Sequence, residues 1–117
     1  MLIKGLLKQI KKSRIRRVKR VRMAVMAQKR VRLSVFRSNK HIAAQIIDDT
    51  AKKTLAAVND MKMKGTKQER AKAVGMQLAQ EAKKQKVTHV AFDRAWYKFH
   101  GRVRSLAEGA KEGGLQF

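Results

Sequence analysis

Two short stretches near the middle of the chain, residues 29–35 and 42–47, show a period of two residues. This period predicts β-strands with one buried face. Residues 53–58, after the next turn, are expected to form a short third strand. The segments between them, Ser38-Asn39-Lys40 and Asp48-Asp49-Thr50, have the composition of turns. We therefore expect the three strands to form an antiparallel meander.

The following part of the chain changes to the spacing of a helix. Thr66-Lys67-Gln68-Glu69 is a capping box, in which the Thr hydroxyl and the Glu carboxylate each bond the other residue's backbone amide. Apolar or small residues then recur at helical spacing, namely Ala71, Val74, Gly75, Leu78 and Ala82. Gly75 costs about 1 kcal/mol of helix propensity relative to Ala. It is therefore expected to permit a close approach of the helix to the sheet.

Residues 87–92 predict a fourth strand, and apolar residues between 103 and 110 predict a last helix that ends at Gly113-Gly114. The helix after the meander returns the fourth strand to the same sheet, with a right-handed connection. The predicted fold class is α+β, a four-stranded mixed sheet in β-β-β-α-β-α order packed by two helices.

The first 28 residues differ from this body. Apolar residues recur at helical spacing from Leu2 to Ile10, with lysines on the other faces. Residues 13–22 are too highly charged to pack against their own domain. We therefore interpret residues 1–28 as a basic arm, helical at least in part and ordered mainly by a partner, and residues 29–117 as one globular domain.

Charge indicates what that partner is. The 117 residues carry 30 Lys and Arg against eight Asp and Glu, a net charge of +22. Residues 1–40 hold 15 of the basic groups and no acid. Such a distribution repels itself and is typical of a protein that binds a polyanion. Cysteine is absent, which excludes disulfides, thiolate nucleophiles and cysteine-based zinc sites. No apolar run reaches the roughly 20 residues that span a membrane.

The arm is the first candidate binding element, because Lys and Arg neutralise phosphates and release their counterions. Charge alone does not separate RNA from DNA or from an anionic membrane. The candidate contacts here and at the start of the first strand are Lys11, Lys12, Arg14, Arg16, Arg17, Lys19, Arg20, Arg22, Arg30 and Arg32.

The second candidate is the segment 93–102, where aromatic and cationic side chains are interleaved. Unpaired RNA bases stack on aromatic rings while cations bind the phosphates. The candidate contacts are Arg94, Trp96, Tyr97, Lys98, His100 and Arg102. One ring is expected to pack on the sheet instead, with Phe99 the first choice. Arg102 opens the last helix, where a cation is unfavourable unless an anion lies nearby. The helix start at Thr66 is expected to lie far from this face.

The third candidate is the hairpin tip, Arg37, Ser38, Asn39, Lys40 and His41. It combines three potential cations with two small hydrogen-bonding side chains, and tips project towards partners. An ordinary polar turn would have a similar composition.

Longer motifs make the chain recognisable. The stretch from Arg32 to Ile42, RLSVFRSNKHI, and that from Ala44 to Asp49, AQIIDD, resemble the bacterial-type eighteenth protein of the large ribosomal subunit. So do Phe92-Asp93-Arg94 and YKFHGRV from Tyr97 to Val103, and the ending GLQF from Gly114 to Phe117. The resemblance covers about residues 29–117.

The resemblance implies a non-catalytic protein with a mixed sheet, flanking helices and a basic extension. Its expected partners are 5S rRNA, which it attaches to 23S rRNA in the central protuberance, and neighbouring large-subunit ribosomal proteins, in the cytoplasm. It implies no cofactor, no metal, no membrane and no small-molecule substrate. By matched position, residues 37–41 and 94–102 are the implied RNA contacts, and Gln45 lies in a matched motif.

Three positions depart from the family pattern. An aromatic residue is usual where Ala43 stands, and Gly and Pro are usual in the turn before the first strand. Ala95-Trp96 replaces small residues that usually include Gly, and this adds a ring that could stack.

Other classes of protein fit less of the chain. A nuclease would need several converging carboxylates, and His41, His89 and His100 lack the spacing of metal ligands. A membrane-active protein, for which Leu2 to Ile10 is suited, leaves residues 29–117 unexplained. A mitochondrial presequence fits less well because the basic run continues straight into the first strand. A basic membrane-active or DNA-compacting protein stays open as the alternative.

Overall fold

The computed structural model describes residues 2–27 and 30–117, and it describes the side chains of all of these except residues 2–8. Three helices and four strands follow one another in this part of the chain. They are α1 (Leu2–Ala27), β1 (Arg32–Arg37), β2 (Ile42–Asp48), β3 (Lys53–Asn59), α2 (Lys67–Lys84), β4 (Ala91–Asp93) and α3 (Arg102–Glu112). The expected α+β class and the order of the elements are confirmed.

The four strands form one mixed sheet in the order β3-β2-β1-β4. β1, β2 and β3 are the predicted antiparallel meander, and β4 pairs parallel with β1. The prediction of a strand over residues 87–92 was wrong in extent, because β4 has only three residues. The residues just before β4 form backbone hydrogen bonds with the C-terminal segment instead. The Val90 amide donates to Gln116 O over 3.0 Å, and the Gln116 amide donates to Thr88 O over 2.8 Å.

The core lies between the sheet and the pair α2 and α3. Burial alternates along β2 as its sequence pattern predicts. The largest apolar side chains that are fully buried are Leu33, Val35, Ile42, Ile46, Val74, Leu78, Val90, Val103 and Leu106. The predicted capping box at Thr66 is present in both directions, and it fixes where α2 begins.

Gly75 allows a close approach, but the neighbour is a helix. A Cβ atom at this position would lie 2.1 Å from the Leu106 carbonyl oxygen and 2.7 Å from the Ala110 amide nitrogen, both in α3. Gly109 in α3 returns the contact, because its Cβ would lie 2.2 Å from the Lys72 carbonyl oxygen. The expectation that Gly75 faces the sheet was therefore wrong. The two glycines bring the backbones of α2 and α3 together.

α1 is helical along its whole described length and contacts β4. Val25 is buried, while Val21 and Val18, one and two turns earlier, are half-buried. The expectation that residues 13–22 do not pack against the domain was therefore wrong for the face that carries these valines. Among the described residues, no helix is long and apolar enough to cross a membrane.

We predict that Gly75→Ala lowers the free energy of unfolding by about 2 kcal/mol or more, because the added methyl group meets backbone atoms that cannot rotate away. The gain of about 1 kcal/mol in helix propensity does not offset this. Urea unfolding measures the change. Gln80→Ala, at an exposed position of the same helix, is the control and should stay within about 0.5 kcal/mol of wild type. Equal stability of the two variants would contradict the packing described here.

Candidate nucleic-acid interface

Three of the predicted segments meet at one side of the domain: the hairpin tip (residues 37–41), the loop that joins β4 to α3 (residues 94–101), and α1. The first residue of α3 connects two of them. Nη1 of Arg102 donates a hydrogen bond to Ser38 O over 3.0 Å and lies 3.4 Å from Asn39 O. The tip is thus held against the start of α3.

Asp60, which the sequence reasoning missed, anchors the other side of the tip. Its side chain is 2% exposed, and its Oδ1 lies 3.0 Å from Nδ1 of His41. Arg70 in α2 approaches the second carboxylate oxygen at 3.6 Å and also contacts Lys40 O at 3.5 Å. A carboxylate directly after a strand gives no sequence signal of this role, because the tip reaches it only in the folded sheet.

Burial lowers the pKa of Arg102, and the neighbouring Arg37 lowers it further, while Asp60 raises it. Arginine stays protonated in proteins even so. This changes the interpretation of a cation at the start of α3. The carbonyl oxygens of the tip accept hydrogen bonds from this guanidinium, so its position at the start of α3 does not by itself indicate an approaching anion.

Tyr97 is a structural anchor of the loop. Its ring is buried, and its hydroxyl accepts a hydrogen bond from the Arg37 amide and donates one to Arg37 O, each over 3.0 Å. Arg94 donates from Nη1 to the Tyr97 carbonyl. Phe99 does pack on the sheet as expected, edge-on against Phe92 of β4 with 5.8 Å between the ring centres, but it stays 49% exposed. Tyr97, at 5% exposed, is the more deeply packed ring, and the sequence analysis did not expect this. A buried ring has no face available for a base, so Tyr97 no longer qualifies as a stacking residue.

Trp96 lies half-buried between the arm and Tyr97. The guanidinium of Arg14 is 4.4 Å from the centre of its ring, within the range of a cation–π contact, and the Tyr97 ring is 4.3 Å away, centre to centre. The preceding Ala95 adopts a left-handed backbone with φ of 52°, stabilised by Asp93 Oδ1, which accepts the Ala95 amide over 2.9 Å. This conformation costs a non-glycine residue about 1 kcal/mol, which is why Gly suits this turn.

Arg32 is occupied inside the protein. Its Nε lies 2.9 Å from Asp49, and its Nη1 lies 3.1 Å from Asp93, which is 1% exposed. The prediction of Arg32 as a phosphate contact therefore loses its physical basis, because this guanidinium joins the start of β1 to the end of β4.

A first groove of about 490 Å³ opens between α1, the loop and the start of α2. A second groove of about 420 Å³ continues along α1, and the two share Arg17 and Lys98. We call the two grooves together the cleft. Its cationic or potentially cationic residues are Arg17, Arg20, Arg37, Lys67, Arg94, Lys98, His100 and Arg102. Of the described residues that line the cleft, none carries a carboxylate.

Lys67 and Gln68 are the polar residues of the cleft that the sequence analysis missed. The start of α2 was expected to lie far from the binding face, and this expectation was wrong. The capping box correctly predicted where the helix begins. It carries no information about which loop the helix start would meet.

The other predicted contacts lie outside the cleft. Ser38, Asn39 and Lys40 project from the tip, and Ser38 Oγ bonds the backbone of His41. Gln45 is exposed on β2, and Arg30 is exposed beside the turn at residues 48–50. The remaining arm cations, all exposed on α1, are Lys11, Lys12, Arg16, Lys19 and Arg22.

The surface is suited to binding phosphates. Many cations are arranged on a rigid support, and half-exposed or exposed rings at positions 96 and 99 add apolar contact area. Within the described residues, no cluster of three or more His, Cys, Asp or Glu side chains could hold a metal ion.

We predict that Tyr97→Phe lowers the free energy of unfolding by about 1–2 kcal/mol, because the Arg37 amide and carbonyl both lose their partner. Lys98→Ala, at the exposed next position, is the control and should change stability by less than about 0.5 kcal/mol. Thermal or urea unfolding of both variants is the measurement. Wild-type stability of Tyr97→Phe combined with a loss of RNA affinity would instead make the hydroxyl an RNA contact.

Comparison with known proteins identifies the family of this chain. A family model described as "Ribosomal L18 of archaea, bacteria, mitoch. and chloroplast" matches residues 8–117. The large ribosomal subunit protein uL18 of Thermus thermophilus is 54% identical over 104 residues, which are 87% of this chain and 93% of that protein. The protein of the same name from Deinococcus radiodurans is 50% identical over 105 residues, covering 89% and 92%. That of Chloroherpeton thalassium is 46% identical over 117 residues, covering 94% and 96%. The chain therefore belongs to the ribosomal L18 family and is a structural, non-enzymatic protein of the large ribosomal subunit.

Proposed function

We propose that this protein binds 5S rRNA and attaches it to 23S rRNA in the central protuberance of the large subunit. The observation that supports this most is the convergence of the hairpin tip, the loop and α1 on one cationic surface. Membership of the ribosomal L18 family makes rRNA and other ribosomal proteins the partners. The finer assignment to 5S and 23S rRNA comes from the resemblance of residues 29–117 to that family.

The domain is suited to reading the shape of a folded RNA. Asp60, Arg70 and Arg102 fix the hairpin tip from three directions, so Asn39 and Lys40 are presented without a large loss of conformational freedom on binding. Asn39 supplies a donor and an acceptor, and Lys40 supplies a positive charge. A fixed tip positions phosphate and base contacts in one register.

The arm, residues 1–28, has a different role in this proposal. Its cations lie on all described faces of α1, including the faces turned away from the domain. A helix with cations around its circumference can contact two RNA segments at once. We assign 5S rRNA to the tip and the loop of the domain, residues 29–117, and 23S rRNA to the outward face of the arm.

Selective retention of 5S rRNA tests the proposal. The full chain should bind 5S rRNA at least about tenfold more tightly than duplex DNA of equal length at one fixed salt concentration, since salt dominates any such comparison. Filter binding with both nucleic acids is the measurement. Equal affinity for the two would contradict the proposal and favour a general polyanion-binding protein.

A second prediction concerns the outward face of the arm. Replacing Lys11, Lys12, Arg16 and Lys19 with Gln removes four cations but keeps the helix propensity. The slope of log K against log[salt] for total rRNA should become shallower by about 3, because each of the four lost phosphate contacts contributes roughly 0.7–0.9. Lys62→Gln with Lys64→Gln, both exposed and outside the three segments, is the control and should leave the slope within about 0.5 of wild type. An unchanged slope in the fourfold variant would show that this face of the arm does not contact rRNA.

A further inference from the structure

The cleft places cations on both of its walls. On the α1 side are Arg17 and Arg20, and facing them from the loop are Arg94 and Lys98. Like charges facing each other across a groove repel, so an empty cleft of this kind is electrostatically unfavourable. An anion between the walls removes that repulsion and is attracted to both sides.

The two walls also touch. Arg14 of α1 lies over the ring of Trp96, with 4.4 Å between the guanidinium carbon and the ring centre, and Val25 is buried near the other end of the contact between α1 and β4. A double helix could not pass between walls that are joined in this way. A single strand could lie in the cleft, because its two grooves have volumes of about 490 and 420 Å³.

The lining of the cleft matches the chemistry of one unpaired strand. Cations follow the length of the cleft from Arg20 to Arg102, as a sugar–phosphate backbone requires, and Trp96 lies in the wall of the first groove. Channels that bind single-stranded nucleic acid combine a positively charged groove with aromatic side chains in this way. The exposed tip and the outer face of α1 are open surfaces on which a duplex could rest.

We propose that the cleft between α1 and the loop binds the backbone of a single unpaired RNA strand, with α1 lying across that strand as a strap. This inference rests on the proposed function and specifies which form of RNA this part of the surface accepts. Double-stranded rRNA binds outside the cleft, that of 5S rRNA at the tip and that of 23S rRNA on the outer face of α1.

The only tryptophan of the chain, Trp96, provides a direct signal. A short oligouridine strand of about eight nucleotides, within the usual site sizes for single strands, should change the emission of Trp96 in the full-length protein. A duplex of about the same length, held together as the stem of an RNA hairpin, should change it little. A duplex that produced the same change with equal affinity would overturn the proposal.

Two matched double variants separate the cleft from the general charge of the helix. Arg17→Gln with Arg20→Gln removes two cations that line the cleft, and Arg16→Gln with Arg22→Gln removes two exposed cations from the same helix. Gln has nearly the helix propensity of Arg, and circular dichroism checks that both variants fold. The first variant should lose at least about tenfold in affinity for oligouridine, and the second less than about threefold. Equal losses in the two variants would overturn the proposal.

Binding of 5S rRNA to the wild-type protein, measured in the same buffer, keeps the two proposals apart. A protein that binds 5S rRNA but not oligouridine overturns the inference about the cleft and leaves the proposed function standing. A protein that binds oligouridine in the cleft but does not select 5S rRNA supports the cleft and overturns the proposed function.

Discussion

Repulsion between like charges is the constraint on which this structure depends. Thirty basic side chains must be accommodated in 117 residues with only eight acids to balance them. Where those few carboxylates lie therefore decides which segments can be close to one another. Asp60 and Asp93 are the two buried polar residues of the described chain. Each stands at or just after the end of a strand, and each draws a guanidinium from another segment towards it.

The binding surface results from this arrangement. Asp93 holds Arg32 and, through its other oxygen, the Ala95 amide, so that the loop begins in a fixed direction. Asp60 holds His41 and Arg70, so that the hairpin tip stands beside α3. Among the described residues, the cations that line the cleft form no ion pair with these carboxylates. In this way the acids position the segments whose unpaired cations line the cleft.

The sequence predicted the parts of the fold that depend on neighbouring residues. Three local patterns with local causes are confirmed. They are the alternation over residues 42–47, the capping box at Thr66 and the end of α3 at Gly113. The roles of Gly75 and Tyr97 were wrong because they depend on distant partners, α3 in one case and the end of β1 in the other. A glycine signals close approach without saying to what, and a ring in a loop signals neither burial nor exposure.

The same distinction applies to the binding surface. Its composition, cations interleaved with aromatic residues, could be read from the chain. The sequence could not show which cations pair with acids inside the protein, because the partners of Arg32 and Arg70 are up to 61 residues away along the chain. The sequence could not predict the cleft either, since it forms only where α1 passes the loop and the start of α2. Trp96 was expected to stack on a base; in the structure its ring contacts Arg14 and so helps to hold the arm against the loop.

Guanidinium groups that are bonded to oxygens within the protein limit how tightly it can bind a polyanion. Arg32, Arg70 and Arg102 are bonded to carboxylate or carbonyl oxygens of the protein itself. A phosphate that drew one of them outward would have to break those bonds. Each such cation therefore contributes less to affinity than it would on an unfolded basic peptide of equal charge. Net charge overstates the attraction of the folded protein for bulk polyanions, and the difference favours an RNA whose shape fits the surface over one that offers charge alone.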